Sequence, residues 1–239
     1  MNIIQRLLTV AGQDNHIAQF PDSITEDMPE LIHVGGRMNV NSILNAYARG
    51  CFPWTGEAPI PWYSPNPRLV LFPQKFHAST NLRKLARSSR FKIGFDNRFT
   101  EVMRLCGQIS RRGRHDTWIT ANMRSTYGEL HRLGIAHSVE IFQEDILVGG
   151  LYGLGLGKAF FGESMFSLLP NTSKLALFAL AQELASRDFH FIDCQQVTHH
   201  LISLGATPLL RQDYLTRLKV ALSCDEEHGS WQHWRNQKD

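Results

Sequence analysis

Cysteine is scarce in this chain of 239 residues: Cys51, Cys106, Cys194 and Cys224 stand far apart and form no CxxC pair. That scatter excludes a disulfide scaffold and a cysteine zinc site, and it fits reduced thiols in a cytosol. Long apolar runs are missing too. Nowhere do roughly 18 apolar residues follow one another, the length a membrane-spanning helix needs. The amino terminus, MNIIQRLLTVAGQDN, breaks its apolar stretch with Gln5 and Arg6 and has no small-residue cleavage site, so no export signal is read. The eleven histidines include no HExxH pattern, and the adjacent His199 and His200 diverge on a helix. No catalytic metal is expected, and no repeat of roughly 20 to 50 residues is visible.

What is present describes a folded protein. Hydrophobic residues make up 43% and charged residues 20%, enough to bury a core without a staple. The net charge of +3 is unevenly spread: residues 74 to 118 hold eleven Lys/Arg against three Asp/Glu, and the rest of the chain carries no net excess of positive charge. Such a stretch is either the footprint of a polyanion partner or a solvated basic helix face. Six prolines, Pro53, Pro59, Pro61, Pro65, Pro67 and Pro73, rule out a helix over residues 50 to 73. This extended segment reads as the join between a small domain, residues 1 to 62, and a larger one, residues 63 to 239. Its Trp54 and Trp62 are expected to bury their large apolar surfaces.

Beyond the join the elements alternate. Ser79 is positioned to cap a basic helix running to about residue 88, residues 100 to 108 predict another, and Thr120 caps a third that ends near Gly134. Strands are predicted over 137 to 142, 146 to 152 and 158 to 166, then a buried apolar helix from Ser173, a core strand over 189 to 195 and a short helix closed by Gly205. Residues 225 to 239 are polar, with Trp231 and Trp234 able to dock. Helices, antiparallel strands, a buried helix and a further strand make an α+β fold.

Three motifs invite chemistry. The run GGLYGLGLGKAFF is no phosphate loop, because Lys158 is followed by Ala159 and the GxxxxGK[ST] spacing fails; Gly155 and Gly157 instead suit a turn between strands. GESMF departs from the serine-hydrolase GxSxG at Phe166, and apolar residues continue past Ser164 where a helix should start. What survives is Glu163, set among Phe160, Phe161, Met165 and Phe166, where a carboxylate needs a partner: an internal cation, or a substrate cation beside an apolar pocket. Asp193 and Gln195 in FIDCQ also survive. Strand alternation would place both on one face, either to orient and polarise a substrate amine or as a structural hydrogen-bonded pair.

Taken in order, GCFPW (50 to 54), WYSPNPR (62 to 68), TWI (117 to 119), AHSVE (136 to 140), LVGGLYG (147 to 153), FFGESMFS (160 to 167), SK (173, 174) and IDCQ (192 to 195) resemble the bacterial leucyl/phenylalanyl-tRNA-protein transferase family. The resemblance spans nearly the whole chain. It implies a small amino-terminal domain followed by a larger domain resembling the GCN5-related N-acyltransferases. It also implies a cytoplasmic, monomeric enzyme without cofactor, metal or membrane contact. The implied reaction moves leucine or phenylalanine, sometimes methionine, from aminoacyl-tRNA to the α-amino group of proteins beginning with Arg or Lys, which marks them for degradation. Carried over by motif, Trp54, Trp118, Phe160 and Met165 line the pocket for the aminoacyl side chain, and Glu163 positions substrate. Asp193 and Gln195 act on the attacking amine, and Lys84 and Arg87 hold the tRNA acceptor stem. Two departures stand out: PELIHVGGRMN differs from the family's usual NGLLALGGDL around Gly35 and Gly36, and Leu180 takes a position where some members carry Phe.

The chemistry so implied is aminolysis of an already activated ester, in which positioning contributes most of the rate. An α-amine with a pKa of roughly 7.7 to 8 needs only a modest bias toward its neutral form. Asp193 could orient Gln195, whose amide oxygen accepts from the amine, or could remove the proton through water, or the ribose hydroxyls could assist. Two other readings compete. A coenzyme-A-dependent N-acyltransferase should show a Q/R-x-x-G-x-G/A pyrophosphate loop, which is not apparent. An adaptor binding tRNA or basic amino termini without chemistry leaves the Asp193 and Gln195 pair unexplained.

Overall fold

In the computed structural model, residues 18–108, 119–224 and 229–234 are described. A three-stranded antiparallel sheet comes first, built from β1 (Leu31–Val34), β2 (Phe52–Pro53) and β3 (Pro61–Tyr63), with β3 in the middle. Between its strands lies α1 (Val40–Ala48), started by Asn39, whose side chain accepts from the Ser42 N–H at 2.8 Å. The proline-rich segment is therefore partly strand, and Pro61 stands at the first position of β3, where a missing N–H costs least. Trp62 is fully buried and donates its indole N–H to the Gly35 carbonyl, but Trp54 is 43% exposed, contrary to the expectation of burial.

The main sheet has seven strands: β4 (Arg68–Leu71), β5 (Lys92–Phe95), β6 (Ala136–Gln143), β7 (Ile146–Leu156), β8 (Ala159–Ser167), β9 (Phe191–Gln195) and β10 (Thr207–Leu209). Their spatial order is β10-β4-β9-β8-β7-β6-β5. All neighbours are antiparallel except β8 and β9, which run parallel because an intervening helix carries the chain back. One face packs on α1, α3 (Phe99–Gln108), α4 (Ala121–Arg132) and α7 (Arg211–Ser223); the other packs on α2 (Thr80–Arg87), α5 (Thr172–Ser186) and α6 (His199–Ser203). The first face buries Ile43, Tyr47, Met123, Phe161 and Tyr214 together, so α1 from the amino-terminal part shares a core with the large sheet.

Local chemistry explains most boundaries. Ser79 and Thr120 cap α2 and α4 as their positions predict, accepting from the N–H groups of Leu82 and Met123. The turn after β7 falls at Gly157, whose φ is +57°, while Gly155 stays within the strand. Gly149 matters for another reason: a Cβ there would meet the Thr172 side chain at 2.4 Å, so glycine lets α5 begin directly on β7. Trp231 and Trp234 do dock. They stack at 3.8 Å, and Trp231 lies flat on His137 at 3.6 Å while its backbone N–H donates to Asp96.

Candidate active site

The parallel pairing of β8 and β9 lasts only from Ala159 opposite Phe191 to Phe161 opposite Asp193. Beyond that point the strands part, and a cavity of about 160 Å³ opens between their carboxyl ends, where α/β sheets commonly bind ligands. Both strands are irregular there. On β8, Tyr152 and Gly153 face Ser164 and Gly162, leaving Glu163 as an extra, bulged residue. On β9, Leu69 and Val70 face Gln195 and Asp193, so Cys194 is the extra one. Such bulges re-aim side chains and cluster near active sites.

The cavity wall is apolar on the α5 side, with Phe160, Met165, Leu177, Leu180, Ile192 and Leu201, and polar where Glu163, Ser164, Gln195, Gln196 and Thr198 meet. Phe160, Met165, Glu163 and Gln195, four of the residues singled out in the sequence, thus stand on one cavity wall. Ser164 remains in the strand with no turn into a helix, so the nucleophile-elbow geometry is absent. Burial, and then the Asp193 charge, push the Cys194 thiol well above its ordinary range, which leaves it a neutral group rather than a nucleophile.

Of the two partners anticipated for Glu163, the structure bears only on the internal cation. Glu163 makes no ion pair among the described residues; instead the Tyr47 hydroxyl donates to its Oε1 at 2.5 Å, and the Tyr127 hydroxyl, 3.3 Å from that of Tyr47, faces the same carboxylate. Burial away from water pushes the Glu163 carboxyl up to about 7; the two tyrosines pull it partly back, and the Asp193 charge adds to the rise. Tyr47, Tyr127 and Tyr152 are buried and held well above the ordinary tyrosine range, first by burial and then by the Glu163 charge, so all three stay protonated.

Asp193 does not share a face with Gln195, because the bulge and the positive φ of Gln195, +59°, break the alternation. Its fully buried carboxylate lies behind the cavity and is saturated by donors. Arg68 gives two hydrogen bonds, at 2.8 and 2.7 Å, Tyr214 gives one at 2.7 Å and the Gln195 backbone N–H one at 2.9 Å. The Gln196 N–H in turn bonds the Cys194 carbonyl at 2.8 Å, a γ-turn centred on Gln195. Left-handed backbone at a non-glycine residue costs on the order of 1–3 kcal/mol and persists only when its surroundings enforce it; here the Asp193 carboxylate does so. Arg68 is itself clamped between the rings of Phe52 and Tyr214, with its Nη1 on the Gly50 carbonyl.

Trp54 stands outside the cavity wall, its ring 5.3 Å from that of Tyr63. Trp118 lies outside the described residues. Lys84 and Arg87 are exposed on α2, which packs through Leu82 against the α5 side of the sheet. Arg68 and Tyr214 went unnoticed in the sequence, although Arg68 is the only charge between residues 63 and 73. Tyr47 and Tyr127 left no signal, since their helical spacing reads as core.

Two family models match the chain: leucyl/phenylalanyl-tRNA protein transferase over residues 70–219, and the amino-terminal domain of the same transferase over residues 36–66. The chain belongs to this family. It is accordingly an aminoacyl-tRNA-dependent protein aminoacyltransferase, with a small amino-terminal domain before a larger mixed α/β domain. The transferase of Lawsonia intracellularis is 43% identical over 92% of this chain and 97% of its own length. That of Legionella pneumophila (strain Corby) is 44% identical over 89% and 95%. Among solved structures, an aminoglycoside acetyltransferase from an uncultured soil metagenomic sample is 15% identical over 59% of this chain and 93% of its own, with a TM-score of 0.36.

Proposed function

We propose that the cavity between β8 and β9 receives the side chain of leucine or phenylalanine on its tRNA, and that Gln195 meets the α-amine of an acceptor protein beginning with Arg or Lys. The observation that carries this reading is the pair of bulges: they deliver Glu163 and Gln195 to the mouth of an apolar cavity of about 160 Å³. An apolar cavity of roughly 150 Å³ accepts benzene, so a Phe or Leu side chain is a suitable occupant. Asp193 acts as a positioning residue, holding the turn that presents Gln195, and not as the base, since its oxygens are already taken. Trp54, partly exposed beside Tyr63, offers an aromatic face to the aminoacyl-tRNA. Lys84 and Arg87 give the acceptor stem a cationic surface. The enzyme would work as a cytoplasmic monomer in which residues 1 to 62 form the small domain and residues 63 to 239 the catalytic one. In this reading the product carries a new amino-terminal Leu or Phe, a degradation signal.

The test is transfer of radiolabelled leucine, phenylalanine and methionine from charged tRNA to Arg- and Lys-initiated peptides. Gln195→Ala should lower kcat sharply while the fold is kept. Full activity in both Gln195→Ala and Asp193→Ala would remove these residues from the mechanism.

A further inference from the structure

Asp193 is closed off, which raises the question of which group takes the proton that the attacking amine must lose. Glu163 is the carboxylate on the cavity wall, and its surroundings suit it to accept that proton, with tyrosine hydroxyls beside it and no ion pair among the described residues. We propose that Glu163 is the proton acceptor of the transfer reaction, and that Tyr47 and Tyr127 are positioning residues that hold its carboxylate toward the gap between β8 and β9. The proposal rests on the transferase reading above.

The step balances without any other reactant. The neutral amine nitrogen attacks the ester carbonyl carbon and forms the C–N bond. Its surplus proton passes to Glu163, the C–O bond to the tRNA ribose breaks, and protonated Glu163 returns the proton to the departing ribose oxygen. The carboxylate is restored for the next turnover.

Several features fit this role. A general base serves best when it titrates near the working pH, and burial brings Glu163 there. The groups facing it are Tyr47 from α1, Tyr127 from α4, Tyr152 from β7, Asp193 from β9 and Arg68 from β4. Arg68 is neutralised by Asp193, so among the described residues no free cation pins Glu163 in its ionised state. Tyr152 has a buried hydroxyl without a hydrogen-bond partner among the described residues, and it also lines the cavity. That hydroxyl is a spare donor beside a carboxylate whose charge comes and goes. The bulge at Glu163 has the same explanation, since a regular strand would turn this residue away from the tyrosines or from the cavity.

The experiment measures single-turnover transfer by the full chain, with charged tRNA and a saturating Arg-initiated peptide, from mildly acid to mildly alkaline pH. Glu163→Gln should lose about 100-fold or more in rate and should also lose the limb on which the wild-type rate rises with pH. Tyr47→Phe and Tyr127→Phe should retain transfer but move that limb to higher pH, because each removes a donor that favours the ionised carboxylate. These two variants decide the matter if Glu163→Gln fails to fold. A wild-type single-turnover rate and an unmoved limb in Glu163→Gln would overturn the proposal, as would a loss that a higher peptide concentration restores or an unmoved limb in both tyrosine variants. A wild-type enzyme that transfers nothing would instead overturn the reading on which the proposal stands.

Discussion

Asp193 and Arg68 are both fully buried and joined by two parallel hydrogen bonds. Removing one partner leaves the other charged and dry, so Asp193→Ala should destabilise the protein by about 3–5 kcal/mol in denaturant titration. Any loss of activity in that variant has to be read beside its stability, whereas Gln195→Ala, on the cavity wall, separates chemistry from folding. Leu180 offers a test of pocket size: Leu180→Phe should shrink the cavity and lower transfer of Phe relative to Leu by about 10-fold, measured as a ratio of kcat/KM. Of the residues that line the cavity, Phe160, Glu163, Met165 and Gln195 stood out in the sequence because they cluster in two short motifs. The placement of Asp193 behind the cavity was not legible, because strand alternation cannot reveal a bulge, and its partner Arg68 lies 125 residues away in the chain.

Elements with local signals were the easier ones to read. Ser79 and Thr120 announce their helices by side-chain capping, and β6 to β8 follow from apolar patterning around turn residues. The short strands β4, β5 and β10 were missed because they depend on neighbours far along the chain, as was α7, whose apolar residues form no clear stripe. Two elements carry predictions of their own. Lys84→Glu with Arg87→Glu on α2 should weaken tRNA binding and flatten its salt dependence, by a slope of about 0.7 to 0.9 for each phosphate no longer neutralised; unchanged affinity and slope would remove α2 from the interface. The docked tail, with Trp231 stacked on both His137 and Trp234, makes Trp231→Ala costly by about 3–5 kcal/mol in thermal or chemical unfolding.

Across the whole molecule, the two cores lie on opposite faces of one sheet, and the cavity opens where that sheet loses its parallel pairing. The fold class and the order of segments were visible in the sequence; the splay between β8 and β9 was not, because it arises from pairing and not from any residue's preference. Glu163 links the site to the stability of the whole. Its carboxyl is raised from an ordinary 4.5 to about 7, so the folded state binds more protons than the unfolded state between those values, and stability should fall as pH rises through that window. Glu163→Gln should remove this portion of the pH dependence in a plot of Tm against pH. The functional reading as a whole depends on one placement, that the β8/β9 cavity is where an aminoacyl group leaves its tRNA for a protein amine. The deciding measurement is transfer of radiolabelled leucine or phenylalanine from charged tRNA to an Arg-initiated peptide, by wild type and by Gln195→Ala. Wild type should label the peptide and the variant should show a large fall in kcat; equal transfer by the two would contradict that placement.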